Sequence, residues 1–298
     1  VFISVVIASK GRAEVLNDTI ESLDAQTRRA DEVIVVVASE QDYNKEIKQV
    51  SGVTVFLSSP GGSVQRNFGI ERTSKDSDLV VFLDDDVELA ADYLLRIENF
   101  FFCMTDVIAI SGVPLLDIPE DGRMSRNDAK KRLSEPKNFK VNVSFRDDLY
   151  GCNMAVRRSF LDFERFDESL VGYSYLEDVD LGRRLNRRGL ICDYGGNSLI
   201  HLGVPGGRIS QRRLGYAQIM NPLYLYFTKR SLDFNKLVYL TIKVPVGNIL
   251  GGFGILSFFR SNPALDSVRR ERLKGNIDAF IYALKRGVDP KSILSYKK

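Results

Sequence analysis

Residues 79–87 read Leu-Val-Val-Phe-Leu-Asp-Asp-Asp-Val, five apolar residues running straight into three carboxylates. An unbroken apolar run of this length predicts a strand buried on both faces, as in parallel sheets covered by helices. The same unit recurs upstream. Val1–Ala8 predicts a strand bounded by Ser9-Lys10-Gly11, and Leu16, Ile20 and Leu23 follow at helical spacing. Val33–Ala38 and Val53–Leu57 predict two more strands, with a helix from about Ser63 to Thr73 before the fourth. Leu89, Tyr93, Ile97 and Phe100 mark an amphipathic helix beyond the carboxylates. Strand and helix alternating four times predict an α/β fold: a Rossmann-like, mostly parallel sheet in an α/β/α sandwich. Ligands of such sheets sit at the carboxyl ends of the strands.

Downstream, Val107–Val113 predicts a fifth strand. Residues 117–148 turn polar and charge-dense without a clear period, which reads as a functional or disordered loop. Order returns at Tyr150–Val156. Tyr175–Gly189 reads as a loop entering a short helix, with short strands around Leu190–Tyr194 and Ser198–Leu202. Beyond Gly207 the pattern is all-helical. Within it, Leu237–Phe259 is apolar and, at about 1.5 Å per residue, long enough to reach across a bilayer core. Lys243, Pro245 and several glycines interrupt it, and Lys229, Arg230, Lys236, Arg260, Arg269, Arg270 and Arg272 flank it. Contact with an anionic membrane surface is therefore favoured over a span, with ordinary packing as the alternative.

Composition narrows the function. The chain has 298 residues and a net charge of +3, which conceals a division. Residues 1–200 carry 25 Lys+Arg and 34 Asp+Glu, whereas residues 201–298 carry 17 and 5. Three cysteines without C-x-x-C spacing exclude a disulfide framework and a zinc knuckle, and a single histidine excludes a His-rich centre. The opening run is too short and too β-branched for a signal peptide, so a cytoplasmic location is expected, with peripheral contact at the inner membrane face. No nucleic-acid partner is expected, because aromatics of the basic end lie in apolar runs. The oligomeric state stays open.

Three features carry chemistry. Asp84-Asp85-Asp86 lies at the carboxyl edge, where a divalent cation such as Mg²⁺ or Mn²⁺ would relieve the repulsion of adjacent carboxylates; helix capping is the plainer explanation. Pro60-Gly61-Gly62-Ser63-Val64-Gln65-Arg66-Asn67 puts flexible backbone and an arginine near a helix start, where an anion can bind, although an ordinary turn accounts for it equally. Glu177, Asp178 and Asp180 precede Arg183, Arg184, Arg187 and Arg188, a charge order that suits a capped surface helix as well as a general base. His201 follows a short apolar strand.

Taken in order, VVIASKGR, VQRNFGI, FLDDDV, GCNMAVRR, FDESL and EDVDLGRRLNRRG, then His201, resemble the family 2 glycosyltransferases of the GT-A fold over about residues 1–205. The resemblance implies a metal held by Asp84, Asp86 and His201, and catalysis by Asp178 as base with Glu177 beside it. It implies donor contacts from Ala8, Lys10 and Arg12 of the first loop, from Arg66 and Asn67, and from Asp84 and Asp85. Where the family ends its second strand in V-D-D-G-S, this chain has VVVASEQD, so Ser39, Glu40 or Asp42 would serve the nucleobase and its identity stays open. Gly151, Asn153 and Asp180 would meet the acceptor.

The implied activity is inverting transfer from a nucleotide-sugar donor to a hydroxyl of a glycan or a polyprenyl-diphosphate-linked saccharide. The loop 117–148, with Lys130, Lys131 and Arg132, has two equal readings: closure over such an acceptor, or an ordinary solvated charged loop. The competing functions are a sugar-phosphate nucleotidyltransferase and a catalytically silent nucleotide- or glycan-binding module. The expected domains are 1–205, catalytic, with a donor half to about residue 113 and an acceptor half from about 114, and 206–298, basic and helical.

Overall fold

A computed structural model of the chain describes residues 1–117, 124–135, 142–204, 209–252 and 263–296. The four apolar runs form β1 (Ile3–Ser9), β2 (Glu32–Val37), β3 (Val53–Leu57) and β4 (Leu79–Leu83), all parallel, in the order β3-β2-β1-β4. Helices α1 (Ala13–Asp24) and α2 (Gly62–Arg72) connect them. After β4 come β5 (Val87–Leu89), α3 (Tyr93–Cys103), β6 (Val107–Ser111), β7 (Leu116–Asp117), α4 (Arg126–Ser134) and β8 (Val143–Phe145). Then follow β9 (Asn153–Arg157), α5 (Glu177–Leu185), β10 (Leu190–Tyr194) and β11 (Leu199–His201).

The main sheet continues from β4 through β9, β6 and β10 to β8. Only β9 and β8 run antiparallel to their neighbours, so the sheet is mostly parallel as expected. Alternate residues of each strand face opposite layers. Val5 and Ile7 pack with Leu16 and Ile20 of α1 and Tyr93 and Ile97 of α3. Val6, Val80 and Phe82 pack on the other face with Ile70 of α2 and Leu181 and Leu185 of α5.

Two expectations are corrected. Leu89 belongs to β5, and the helix after the carboxylates begins only at Tyr93. The stretch 117–148 is not simply a loop, because it contains α4 and β8; residues 118–123 and 136–141 of it lie outside the described residues. α4 lacks an apolar period because distant charges hold it. Arg126 reaches Asp18 at 2.8 Å, Glu21 at 2.7 Å and Glu88 at 2.9 Å, while the Ser125 hydroxyl caps its first turn.

The chain divides into two compact units, Val1–Phe166 with Leu181–Gly207, and Asp167–Asp180 with Arg208–Lys298. Residues 167–180 therefore group with the C-terminal helices. Those are α6 (Gln211–Phe227), α7 (Phe234–Val238), a π-helical turn at Tyr239–Lys243, α8 (Val244–Gly252) and α9 (Pro263–Arg286). Pro245 has no N–H to offer the Thr241 carbonyl, which accounts for the wider turn just before it. The end of the apolar stretch 237–259, from residue 253, lies outside the described residues. Among those described, no helix is long and apolar enough to cross a membrane.

α6 and α9 meet backbone to backbone. A Cβ on Gly215 would overlap the carbonyl oxygen of Arg272, and one on Gly275 would overlap that of Arg212. Asn276 Nδ2 ties the crossing by donating to the Gly215 carbonyl at 2.7 Å. Alanine is the better helix former, yet Gly275→Ala forces the two helices apart; we expect a net loss of about 1–3 kcal/mol. Urea unfolding monitored by circular dichroism measures it, and an unchanged midpoint would contradict the close crossing.

Candidate active site

All five residues of β4 are buried, and Asp84, at the carboxyl edge of the sheet, is the one partly exposed residue before the chain is buried again from Asp85 to Leu89. The three carboxylates that follow have different partners. Asp84 is part-exposed and accepts from Arg66 Nη2 at 2.7 Å. Asp85 is fully buried; it accepts from Ser9 Oγ at 2.5 Å and pairs with the Arg12 guanidinium. Asp86, also fully buried, accepts at Oδ2 from Arg12 Nη1 at 3.0 Å and from Val204 N at 2.9 Å. Its Oδ1 lies 3.1 Å from His201 Nε2.

His201 reaches this point through a second, smaller sheet in the order β5-β11-β7. β11 pairs antiparallel with β5, which places His201 opposite Val87, directly after Asp86. His201 Nε2 is 4.0 Å from Asp84 Oδ2, and single ligand atoms of Asp84, Asp86 and His201 all lie within 4.8 Å of one another. Two hard carboxylate oxygens and an imidazole, with Asp84 open to solvent, are a donor set that fits Mn²⁺ or Mg²⁺.

The electrostatics separate the acids. Burial pushes Asp85 up to about 7, against the pull of Arg12. Burial acts on Asp86 in the same sense, but the His201 hydrogen bond and the Arg12 charge outweigh it and hold that carboxyl below its ordinary value. Desolvation works against the charge on Arg12, yet Asp85, Asp86 and Asp84 together raise its pKa.

Other expected site residues fall into two groups. Arg66 lies at the centre, bonded to Asp84, over the Phe166 ring at 5.7 Å and 3.5 Å from the Gly151 carbonyl. Ala8 is half-buried at the end of β1, and Lys10 and Glu40 are exposed. Glu40 accepts from the Tyr43 hydroxyl, and Ser39 is half-buried beside it. Asp42 is buried and accepts from the Gly11 amide at 2.8 Å, which joins the second-strand loop to the first.

Three residues expected to touch ligands are engaged inside the protein instead. Asp85 is sealed beneath Ser9 and Arg12. Asn67 exchanges two hydrogen bonds of 2.9 Å with the Phe166 backbone. Asn153 is fully buried, accepting from the Tyr93 hydroxyl and from Asn197 Nδ2, both at 2.8 Å. Sequence reading missed Gln65, whose amide nitrogen Nε2 donates to the Ser9 and Val36 carbonyls at 2.9 and 2.8 Å, and Thr19, which donates to the Asp85 carbonyl at 2.8 Å. Gln65 stands within VQRNFGI; Thr19, on the inner side of α1, had no local signal.

Glu177, Asp178 and Asp180 occupy the first turn of α5, in the second unit. Glu177 and Asp180 are buried; Asp178 is half-buried, its Oδ1 accepting from Val179 N at 2.8 Å. Ser174 and Leu176, just before them, have φ of 54° and 70°, left-handed conformations that cost about 1–3 kcal/mol each and concentrate at functional sites. Burial, followed by the Asp178 charge, pushes the Tyr175 phenol to about 12.

The mostly parallel, helix-covered sheet, with Asp84, Asp86 and His201 at its carboxyl edge, fits the GT-A fold. Comparison with solved structures agrees on the fold. The chain is similar to mannosyltransferase PcManGT from Pyrobaculum calidifontis, solved in complex with GDP-Man and Mn²⁺, with a TM-score of 0.60 and 13% identity over 93% of this chain and 86% of that one. It is similar also to S. aureus TarS 1–349, with a TM-score of 0.51 and 16% identity over 96% and 92%. The chain belongs to glycosyltransferase family 2: the family model for Glycosyl transferase family 2 matches residues 4–163. No curated protein matches the chain by sequence.

Arg12 neutralises two carboxylates with no solvent exposure. Arg12→Ala leaves them buried without their cation, a change that costs about 3–5 kcal/mol near pH 8. The sign of the pH effect follows from Asp85. Its folded pKa lies above the unfolded value of 3.8, so its contribution favours stability at low pH and is lost as pH rises from about 4 through about 7. In Arg12→Ala the carboxyl takes a proton more readily still, so the deficit shrinks near pH 5, roughly two units below the native Asp85 value. Thermal melts in chelator at the two pH values measure this; an equal deficit at both would be inconsistent with it.

Proposed function

We propose that the chain is an inverting, metal-assisted glycosyltransferase. It would move a sugar from a nucleotide-sugar donor to a hydroxyl of a glycan or a polyprenyl-diphosphate-linked saccharide, at the cytoplasmic face of a membrane. The observation that carries this reading is the convergence of Asp84, Asp86 and His201 at the carboxyl edge of the sheet. A divalent cation held there, Mn²⁺ or Mg²⁺, supplies positive charge against the leaving diphosphate. The Pyrobaculum enzyme, which holds GDP-Man and Mn²⁺ on the same fold, supports the choice.

The chain's own groups do the rest. Asp178 takes the proton of the acceptor hydroxyl as its oxygen bonds to the anomeric carbon, and the bond from that carbon to the diphosphate breaks, releasing the nucleoside diphosphate. Its place just after two left-handed residues, at the start of α5, supports a functional role for this carboxylate. Arg66 offers its guanidinium to the donor phosphates beside Asp84. Arg12, with its cation committed to Asp85 and Asp86, positions the carboxylates.

Asp178→Asn should lower transfer by about 100-fold or more, the scale of a lost general base, while nucleotide-sugar binding by calorimetry stays within about twofold. Retained turnover would remove Asp178 from the role. Asp86→Ala should abolish the rise in melting temperature that Mn²⁺ gives with a panel of UDP-, dTDP- and GDP-sugars. If no nucleotide sugar shifts the native protein at all, a binding module or another reaction class takes precedence.

A further inference from the structure

The helical run from α7 to α8 is apolar on two sides: Leu237 and Leu240 are buried inward, and a second apolar stripe faces outward. Its inner side buries a polar residue: Asn248 donates to Gln218 Oε1 at 3.2 Å and to Asn276 Oδ1 at 2.8 Å. Its outer side carries Tyr239, Ile242, Val246 and Ile249, at intervals of three and four residues, each between 38% and 57% exposed. A helix that only packed against its neighbours and water would place these side chains inward. Lys243 lies on the same outer side, its Nζ 4.6 Å from the centre of the Tyr239 ring.

Charge says what covers this face. From Phe234 to Leu265 the sequence contains no acid, and Lys236 and Lys243 stand within the helical run. Residues 201–298 hold 17 basic residues and 5 acids. Four of those acids are engaged within the unit: Asp233 and Asp289 accept from the amides of Lys236 and Lys291, Glu271 pairs with Lys274, and Asp278 with Arg212. Residues 167–180 of the same unit add five acids, one of which, Asp167, pairs with Lys229. The unit thus sets 17 basic residues against 10 acids, and the excess positive charge remains beside an acid-free apolar stripe. Lys and Tyr side chains suit a boundary where an apolar body is buried and a polar tip stays wet.

We infer that this face lies flat on an anionic lipid surface, with Tyr239, Ile242, Val246 and Ile249 in the headgroup–acyl boundary and Lys236 and Lys243 against the phosphates. The inference deepens the reading of a lipid-linked acceptor and rests on it for its purpose. The helices described are too short and too polar to span, so the attachment is reversible and salt-sensitive.

The test is co-flotation of the full chain with phosphatidylglycerol vesicles and with phosphatidylcholine vesicles, without donor or acceptor, so that its result is independent of transfer. The native protein should float with phosphatidylglycerol and be released by salt. Ile242→Glu with Ile249→Glu should weaken that binding by about 100-fold, given the apolar area withdrawn. Phe102→Glu, at an exposed position of α3 in the first unit, should leave it unchanged. If the double variant fails to fold by circular dichroism, the charge reversal Lys243→Glu takes its place and should shift the salt midpoint of release downward. Three outcomes would overturn the inference: no flotation of the native protein, equal salt-insensitive binding to both vesicles, or no vesicle binding with a dimer that the double variant abolishes. The last would assign the face to a second copy of the chain.

Discussion

Three neighbouring carboxylates at the end of a buried strand repel one another, and the architecture around β4 is organised by how that repulsion is met. Each acid has its own counterpart from a different part of the chain. Arg66 comes from α2, Arg12 from the loop after β1, and His201 from β11, and each brings its element to the same edge. Removing one partner would leave a charge in a medium that solvates it poorly. The motif therefore acts as a convergence point for the fold, and the chemistry that family membership implies is built where the fold is most constrained.

The central strands around that point were legible because burial on both faces leaves apolar residues between turns, as in β4. The edge strand β3, only partly buried, was legible from its β-branched and aromatic residues. β3 and β4 follow their apolar runs to the residue. α4 was not legible, since its stability comes from Arg126 binding acids more than a hundred positions away in two cases, and no local period reports such a bond. β5 was absorbed into the following helix because Leu89, Tyr93 and Ile97 happen to continue a helical spacing across a strand end.

At the site, residue types were easier to read than their depth. Asp84, Asp86 and His201 assemble where the order of motifs suggested. Asn153 faces inward because its place in β9 opposite Leu83 of β4 sets its side. Asp85 does so because Ser9 and Arg12 hold it beneath the first loop, and Asn67, on α2, because the Phe166 backbone binds it. A sequence motif names both neighbours without saying which one is sealed. The helical unit shows the converse: Leu237, Leu240 and Asn248 are buried while Tyr239, Ile242, Val246 and Ile249 stand exposed, a division that composition alone renders as one ordinary apolar stretch.

His201 lies 115 positions after Asp86, yet their separation is set by strand pairing: Val87 faces His201 across two antiparallel strands. Pairing works as a ruler that ignores contour length. Insertions or deletions confined to the loops between residues 90 and 198 can change the contour length without moving the imidazole relative to the carboxylates, provided the strands and helices of the core are kept. A slip of β11 by a single residue, in contrast, would present Ile200 or Leu202 in its place. The loops of the intervening chain therefore bear little on a cluster whose dimensions are set by the pairing of β5 with β11.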